Sequence, residues 1–485
     1  MNIKHQKSKL ILDLFEEISA IPRCSKHEEK IGAFLLQWAE KNNLESKKDK
    51  VGNVLIKVPA STGYEGSGAV VIQGHMDMVC EKTADSPHDF TKDPIRFVYD
   101  GEWLKADHTT LGSDNGIALA MAMVLALDKE AVHPPLELLF TVDEETGLTG
   151  ANALEAGFIK GKILLNVDSE DEGVFTVGCA GGRDTHITLP LQYEDAPEGF
   201  VMARLKASGM NGGHSGINIS DDRANAIRIL VRALMTIKSD FDLLRLADIS
   251  GGTAHNAIPR DAWADIFIPR DSFKAIEQMV ADQEAVFKHE FKQTDPELKV
   301  SLELQPETMG KRPLKVAGGA KIFDLIIALP HGVAAMSTEI KGLVETSNNL
   351  ASAKIANSKI EIVTSQRSSV MSRLHALTLK IEAIAHLAGA QAVSGNGYPP
   401  WQPNMQSPLL ARCKDVYRKL FGKEPHVEVI HAGLECGIIG DKNVGMDMIS
   451  FGPTLKNPHA PDEKIHVGSI GKIWDFLVEL LKSLK

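Results

Sequence analysis

Cysteine is scarce in this chain of 485 residues, and the five present, Cys24, Cys80, Cys179, Cys413 and Cys436, are scattered with no CxxC pair. An odd, dispersed set predicts reduced thiols and excludes a disulfide framework and a thiolate-built structural zinc site. A basic excess is also missing: the formal net charge is −11, which disfavours nucleic acid as a partner because phosphate binding needs a basic face. No apolar run approaches the length of a membrane-spanning helix. The first residues, MNIKHQKSKLILDLFEEISAIPR, carry an apolar run broken by Asp13 and Glu16, unlike the uninterrupted core of a secretory leader. No low-complexity tract and no internal repeat survives inspection. These absences together predict a cytoplasmic protein with no membrane or nucleic-acid partner.

What is present is ordinary globular material: 43% hydrophobic and 24% charged residues, enough for two or three domains with real cores. Ser25 followed by Glu28 reads as a capping box before an amphipathic helix near 27–42. Short apolar runs then alternate with a helical pattern: AVVIQG (69–74) as a buried strand, NGIALAMAMVLALDK (115–129) as a buried helix, and PLELLFTV (135–142) and KILLNVD (162–168) as further strands. This rhythm predicts an α/β layer on a mostly parallel sheet with helices on both faces. After GCAGGRD (178–184) the pattern changes to long helices near 221–237 and 372–390 among alternating strands, the character of an inserted α+β domain. The cluster SGNGYPPWQP marks its end. The expected boundaries are 1–185 and 398–485 for one discontinuous domain, with 186–397 inserted into it.

The chemistry gathers where the buried strands stop. In open α/β sheets, ligands bind beyond the carboxyl ends of strands. AVVIQG runs into His75 and Asp77, PLELLFTVD into Glu144 and Glu145, KILLNV into Asp168, and Asp114 in GSDNG precedes the buried helix. Alternation puts His75 and Asp77 on one face, where Asp77 can orient the imidazole. Taken singly, each element has a plain explanation: a surface His-x-Asp pair, a solvated glutamate pair, an N-cap aspartate, or a loop histidine at His459. Their coincidence at the ends of successive buried strands is what those explanations leave over, because such acids are costly to cluster without a cation. Histidines with carboxylates and no thiolate suit zinc, with manganese or cobalt as alternatives.

The ordered strings HMDMV, GSDNG, DEETG, NVDSE and GP…PHAPDE resemble the co-catalytic zinc aminoacylase and carboxypeptidase superfamily. Within it the chain looks most like the bacterial aminoacyl-histidine dipeptidases. HDFTKDPI, GCAGG, GGHSG, HNAIPR, VETSNNLA and IHAGLECG add to that likeness along nearly the whole length. The resemblance implies two divalent ions per chain: His75 and Asp168 on one, Glu145 and His459 on the other, and Asp114 bridging. It also implies that Asp77 orients His75 and that Glu144 is the general base on a metal-bridging water. The inserted domain then resembles the family's lid. Its His214 would stabilise the oxyanion, Asn256 and Arg367 would hold the substrate carboxylate, and Gly433 and Glu435 would line the pocket. Ala460 stands where serine is expected in close relatives, beside a ligand, and a lid this large can supply the oxyanion group within one chain. The resemblance further implies a small dipeptide substrate such as β-alanyl-histidine and a homodimer. The rival readings are an N-acyl-amino-acid deacylase or broader dipeptidase on the same fold, and a catalytically silent peptide-binding protein.

Overall fold

The computed structural model describes residues 5–305 and 310–485. The first four residues of the N-terminal stretch, and residues 306–309 within the inserted segment, lie outside that description. The chain divides into two compact units, one made of Met1–Cys179, Pro403–Val429 and Leu434–Lys485, the other of Ala180–Gln402 with Ile430–Gly433.

The first unit is built on an eight-stranded sheet in the order Glu45–Lys48, Val54–Val58, Leu136–Thr141, Val70–His75, Ile163–Asn166, Asp447–Ser450, Val174–Cys179 and His426–Ile430. Its centre is parallel, from Leu136–Thr141 through Val70–His75 and Ile163–Asn166 to Asp447–Ser450. The two leading strands pair antiparallel, and so does Val174–Cys179 with Asp447–Ser450, so the parallel character expected from the sequence belongs to the middle of a mixed sheet. For the first of these pairs the reason is local: only five residues separate Lys48 from Val54, too short for a crossover helix. Every residue of Val70–His75 and of Leu136–Thr141 is buried, as continuous apolar runs in a covered parallel sheet require. Helices flank the sheet; Gln6–Ser19, Ser113–Leu127 and Val467–Ser483 pack together. A smaller sheet joins Phe97–Asp100, Trp103–Ala106, Lys464–His466 and Leu455–Lys456, and His459 lies in the loop between its last two strands in chain order.

Two expectations fail here. The helix predicted near 27–42 runs Glu29–Lys41, and no side chain caps it. Ser25 Oγ is spent on Asp77 Oδ2 at 2.8 Å, while Glu28 Oε1 accepts the amides of Lys26 and Asp143, both at 2.9 Å. The supposed capping box therefore serves the strand ends instead of its own helix. The thiols are not all reduced either: Cys24 and Cys80 form a disulfide with Cα atoms 5.7 Å apart. The cause is placement, because residue 24 bridges Met78 and the Arg23 side chain is anchored on the carbonyls of Met76 and Asp77. Sequence spacing could not show that approach. Cys179, Cys413 and Cys436 are free and buried.

The second unit carries a nine-stranded sheet whose recorded pairings are all antiparallel, with Val344–Ala356 and Lys359–Ser368 as its long central pair. Helices Ala226–Asp240, Phe273–Glu290, Val316–Ala328 and Met371–Leu387 contribute Ile227, Leu230, Leu234, Phe287, Phe323 and Ile381 to one apolar core with the strands. This is the α+β character predicted for the inserted segment.

Candidate metal centre

The strand Val70–His75 delivers its last residue, His75, into a buried cluster of acids; the imidazole is 1% exposed. Its Nδ1 lies 3.3 Å from Asp77 Oδ1, and its Nε2 lies 3.0 Å from Asp114 Oδ1 and 3.5 Å from Asp168 Oδ1. On the other side of the cluster, His459 Nε2 lies 3.2 Å from Asp114 Oδ2 and 3.0 Å from Glu145 Oε2. Asp114 thus turns one oxygen toward each imidazole. His75 with Asp168 forms one group, His459 with Glu145 the other, and Asp114 is shared between them.

Local backbone chemistry holds these side chains. Asp77, fully buried, accepts the amide of Glu144 at 3.0 Å and that of Glu145 at 3.2 Å, so it fixes His75 and the glutamate turn together. Those glutamates open a short helical turn, Glu144–Gly147, and do not sit in a solvated loop. Asp114 sits at the kinked start of Ser113–Leu127 with the non-helical values φ −81° and ψ 107°, and its two carboxylate oxygens face imidazoles instead of capping the helix. The residue before that helix, Gly112, has φ +67°, and a Cβ there would fall 2.5 Å from Arg23 Nη2. Only glycine fits both the left-handed backbone and the close guanidinium.

The electrostatics are those of an unbalanced site. Burial works against charging His75, yet Asp168, Asp114 and Asp77 outweigh it and raise its basicity well above the ordinary value. Asp114 and Glu145 lift His459 to about 11. Glu145 is raised by burial and then by Asp114, and Asp168 by burial with added repulsion from Asp114 and Asp77. Glu144 stands well above the usual carboxylate range, chiefly through burial. Buried Glu145 Oε1 and Asp168 Oδ1 have no hydrogen-bond partner. Orphaned acceptors, repelling carboxylates and imidazoles drawn toward the charged state are what a set of cation ligands shows when only protons can neutralise it. His75, Asp114 and Glu145 each place a ligand atom within 4.8 Å of the others. The donor set therefore fits divalent metal.

Glu435, expected to line the pocket, is wholly buried; its Oε2 accepts Gln73 Nε2 at 2.6 Å and Thr141 Oγ1 at 2.7 Å. Burial raises its carboxyl to about 7, and Oε1 is unpartnered.

The remaining expected residues lie in the second unit. His214 Nδ1 accepts the amides of Gly216 at 3.2 Å and Ile217 at 3.1 Å, which assigns the proton of the neutral ring to Nε2. Burial, with the charge of Arg367 and then His255, lowers its pKa to about 4, so it is a neutral donor at neutral pH. Arg367 is 6% exposed, gives Nη1 to Tyr398 Oη at 2.9 Å, and has an unpartnered Nε. Asn256 is exposed, and its carbonyl accepts the amide of Ser215 at 2.8 Å. Gly433 faces the Tyr398 ring, which a Cβ would meet at 2.8 Å.

Residues 71–483 match the Peptidase family M20/M25/M40. The chain belongs to that family. It is 40% identical over 472 residues, 97% of each chain, to the cytosol non-specific dipeptidase of Escherichia coli (strain K12). The crystal structure of aminoacylhistidine dipeptidase from Vibrio alginolyticus matches with a TM-score of 0.89 and 38% identity, covering 100% of this chain and 98% of that one. An aminopeptidase from Bacillus cereus, 16% identical with a TM-score of 0.57 and 98% coverage of both chains, shares the fold. The chain is accordingly a hydrolase of the peptidase kind, and its fold is the α/β domain with a lid of that family.

Several residues beside the expected ones, in one unit or the other, were not given that part in the sequence. Ser25 supports Asp77, and Arg23 lies 1% exposed behind the strand ends. Tyr398 stands in a string read only as a domain boundary. His431 is buried with Nε2 2.7 Å from Ser347 Oγ. His431 lay in plain view inside IHAGLECG, but a histidine in a string carries no signal of what it touches.

Proposed function

We propose that this chain is a dipeptidase dependent on two divalent ions, with zinc the best chemical fit, that hydrolyses Xaa-His and related dipeptides such as β-alanyl-histidine. The observation that carries the reading is Asp114, whose two oxygens face different imidazoles inside a buried surplus of carboxylate. The name of the Vibrio relative supports the histidine preference; that of the Escherichia relative favours a broader dipeptide range as the second reading.

His75, Asp168 and one oxygen of Asp114 would hold one ion; His459, Glu145 and the other oxygen would hold its neighbour. Bound divalent ions supply Lewis acidity and make nearby water more acidic. Asp77 keeps the His75 ring and the Glu144 turn in place. Glu144 takes a proton from the attacking water as its oxygen adds to the peptide carbonyl, and delivers it to the amine nitrogen as the C–N bond breaks. His214, a neutral Nε2–H donor, stabilises the negative oxygen of the tetrahedral species. Arg367 and Asn256 hold the substrate carboxylate, with the unpartnered Nε of Arg367 available for a charge-assisted bond. Gly433 lines the pocket, while Glu435, wholly buried, braces Gln73 and Thr141 of the sheet. A carboxylate anchor restricts the enzyme to short substrates. The reading includes a cytoplasmic location and a homodimer; among the described residues no helix is long and apolar enough to cross a membrane.

The test is hydrolysis of β-alanyl-histidine, glycyl-leucine and acetyl-methionine by metal-stripped and zinc-restored protein. Restored cleavage favouring the histidine dipeptide supports the full reading. Restored cleavage of glycyl-leucine alone shifts it to a broader dipeptidase, and of acetyl-methionine alone to a deacylase. Peptide binding without turnover in metal-loaded protein would leave a silent binding protein.

A further inference from the structure

The loop that carries His459 also carries Glu463, four residues on, and Glu463 is 2% exposed. Its carboxylate does not face the acids of the centre. Instead Oε2 accepts the amides of Leu111 at 2.8 Å and Gly112 at 2.9 Å, and Oε1 accepts the amide of Ser113 at 2.8 Å and its hydroxyl at 2.6 Å. These are the residues immediately before Asp114. From behind, Arg23 gives Nη2 to Gly112 O at 2.5 Å and Nη1 to the carbonyls of Met76 at 3.1 Å and Asp77 at 3.0 Å. One buried carboxylate and one buried guanidinium therefore lock three segments together: the His459 loop, the approach to Asp114, and the end of the strand that bears His75.

Burying a carboxylate is costly unless its oxygens are satisfied, and here four short donors satisfy them. Folding alone does not require that arrangement, since water or a serine could cap the same amides. Its particular consequence is geometric. Asp114 must offer one oxygen to each imidazole, so a small tilt of residues 111–114 would spoil both groups at once. We infer that Glu463, braced by Arg23, is a positioning residue that sets the orientation of Asp114 and hence the affinity for the second of two ions. This inference rests on the two-ion reading above, with Asp114 shared.

The test uses full-length protein and zinc or cobalt ions alone. Ion stoichiometry and affinity are measured by competition with a chromophoric chelator at fixed pH, for wild type, Glu463→Gln and Ser113→Ala. The amide of Glu463→Gln removes the charge and turns a donor toward backbone donors. Ser113→Ala removes only the hydroxyl bond, so it remains usable where the first variant fails to fold. Glu463→Gln should bind the weaker ion about 10–100-fold less tightly, with an altered cobalt absorption spectrum and a kcat that falls while KM holds. Ser113→Ala should shift the same quantities in the same direction, by less than about tenfold. Variants that unfold earlier without metal, yet bind both ions as tightly as wild type with an unchanged cobalt spectrum, would overturn the inference. Wild type binding fewer than two ions would instead refute the two-ion reading itself.

Discussion

Both units bury acidic side chains, and they treat them in opposite ways. In the second unit, Asp265 is wholly buried, opposite Arg204 in the register of adjacent strands. Arg204 grips it through Nε at 2.7 Å and Nη2 at 2.8 Å. Lys311 reaches Asp265 at 2.6 Å and Asp248 at 2.5 Å, and the Arg204 guanidinium lies 4.2 Å from the Trp263 ring centre. Charge and hydrogen bonds close on themselves. In the first unit, Asp114, Glu145 and Asp168 face only imidazoles, Arg23 behind them is spent on backbone carbonyls, and two carboxylate oxygens are left without partners. A cluster that serves its own fold is neutral and satisfied. One that serves a ligand is kept short of what only the ligand brings.

That contrast can be tested at several scales. The largest effect is expected at Glu144, which touches neither imidazole within hydrogen-bond reach and so is separable from metal holding. Glu144→Gln should lower kcat by about 10²–10⁴-fold while bound metal per chain stays as in wild type. Lost metal in that variant would place Glu144 among the ligands. Next comes metal removal. Chelation should destabilise the first unit by about 4 kcal/mol where metal had stood a thousandfold above its Kd, read as lost amide protection in Val70–His75. Protection in Ala262–Pro269 should hold. Asp265→Asn should do the converse: it should destabilise the second unit by about 1.5–3 kcal/mol, seen in the same strands by hydrogen exchange, with metal affinity unchanged.

The same contrast explains what could be read from the chain alone. Buried strands are legible because apolar runs of β-branched residues have few other uses, and the acids that end them stand out against that background. His75, Asp114, Glu145, Asp168 and His459 do converge: strand ends pointed to His75, Glu145 and Asp168, whereas Asp114 before its helix and His459 in its loop joined the set through the family resemblance. The supports were not legible. Ser25 and Glu28 match a helix cap by spacing, and what diverts them is the nearby carboxylate of Asp77 and amide of Asp143, a tertiary fact. Glu463 looks like any loop glutamate until the amides of Leu111, Gly112 and Ser113 are seen to surround it. Cys24 and Cys80 come together where residue 24 bridges Met78 and Arg23 holds the carbonyls of Met76 and Asp77, pairings that the spacing of the cysteines does not record. Backbone donors are identical in every residue, so no sequence records which side chain will meet them.

The subtlest consequence is a difference in sign with pH, in metal-free protein. Burial works against ionising Asp265, but Arg204 and Lys311 outweigh it and hold its pKa below the ordinary value. Its stabilisation is complete above the unfolded value near 3.9, and is lost as pH falls through the depressed folded value. Between pH 6 and 9 it is flat. In the first unit His75 is raised well above its ordinary value, His459 to about 11, and Glu145 and Asp168 are raised as well. The two imidazoles hold protons in the folded state that the unfolded chain has released, so their stabilisation fades as pH rises from about 6 toward 9. Asp77 and Asp114, both depressed, are ionised throughout that window in either state and add no slope. Hydrogen exchange corrected for intrinsic rate should therefore show protection in Val70–His75 falling from pH 6 to 9 in metal-free protein. Ala262–Pro269 should stay level there and weaken only below about pH 4. Restored metal should abolish the first slope, because deprotonated ligands bind it better as pH rises; a slope that survives saturating metal would mean the raised imidazoles are not where the ions bind.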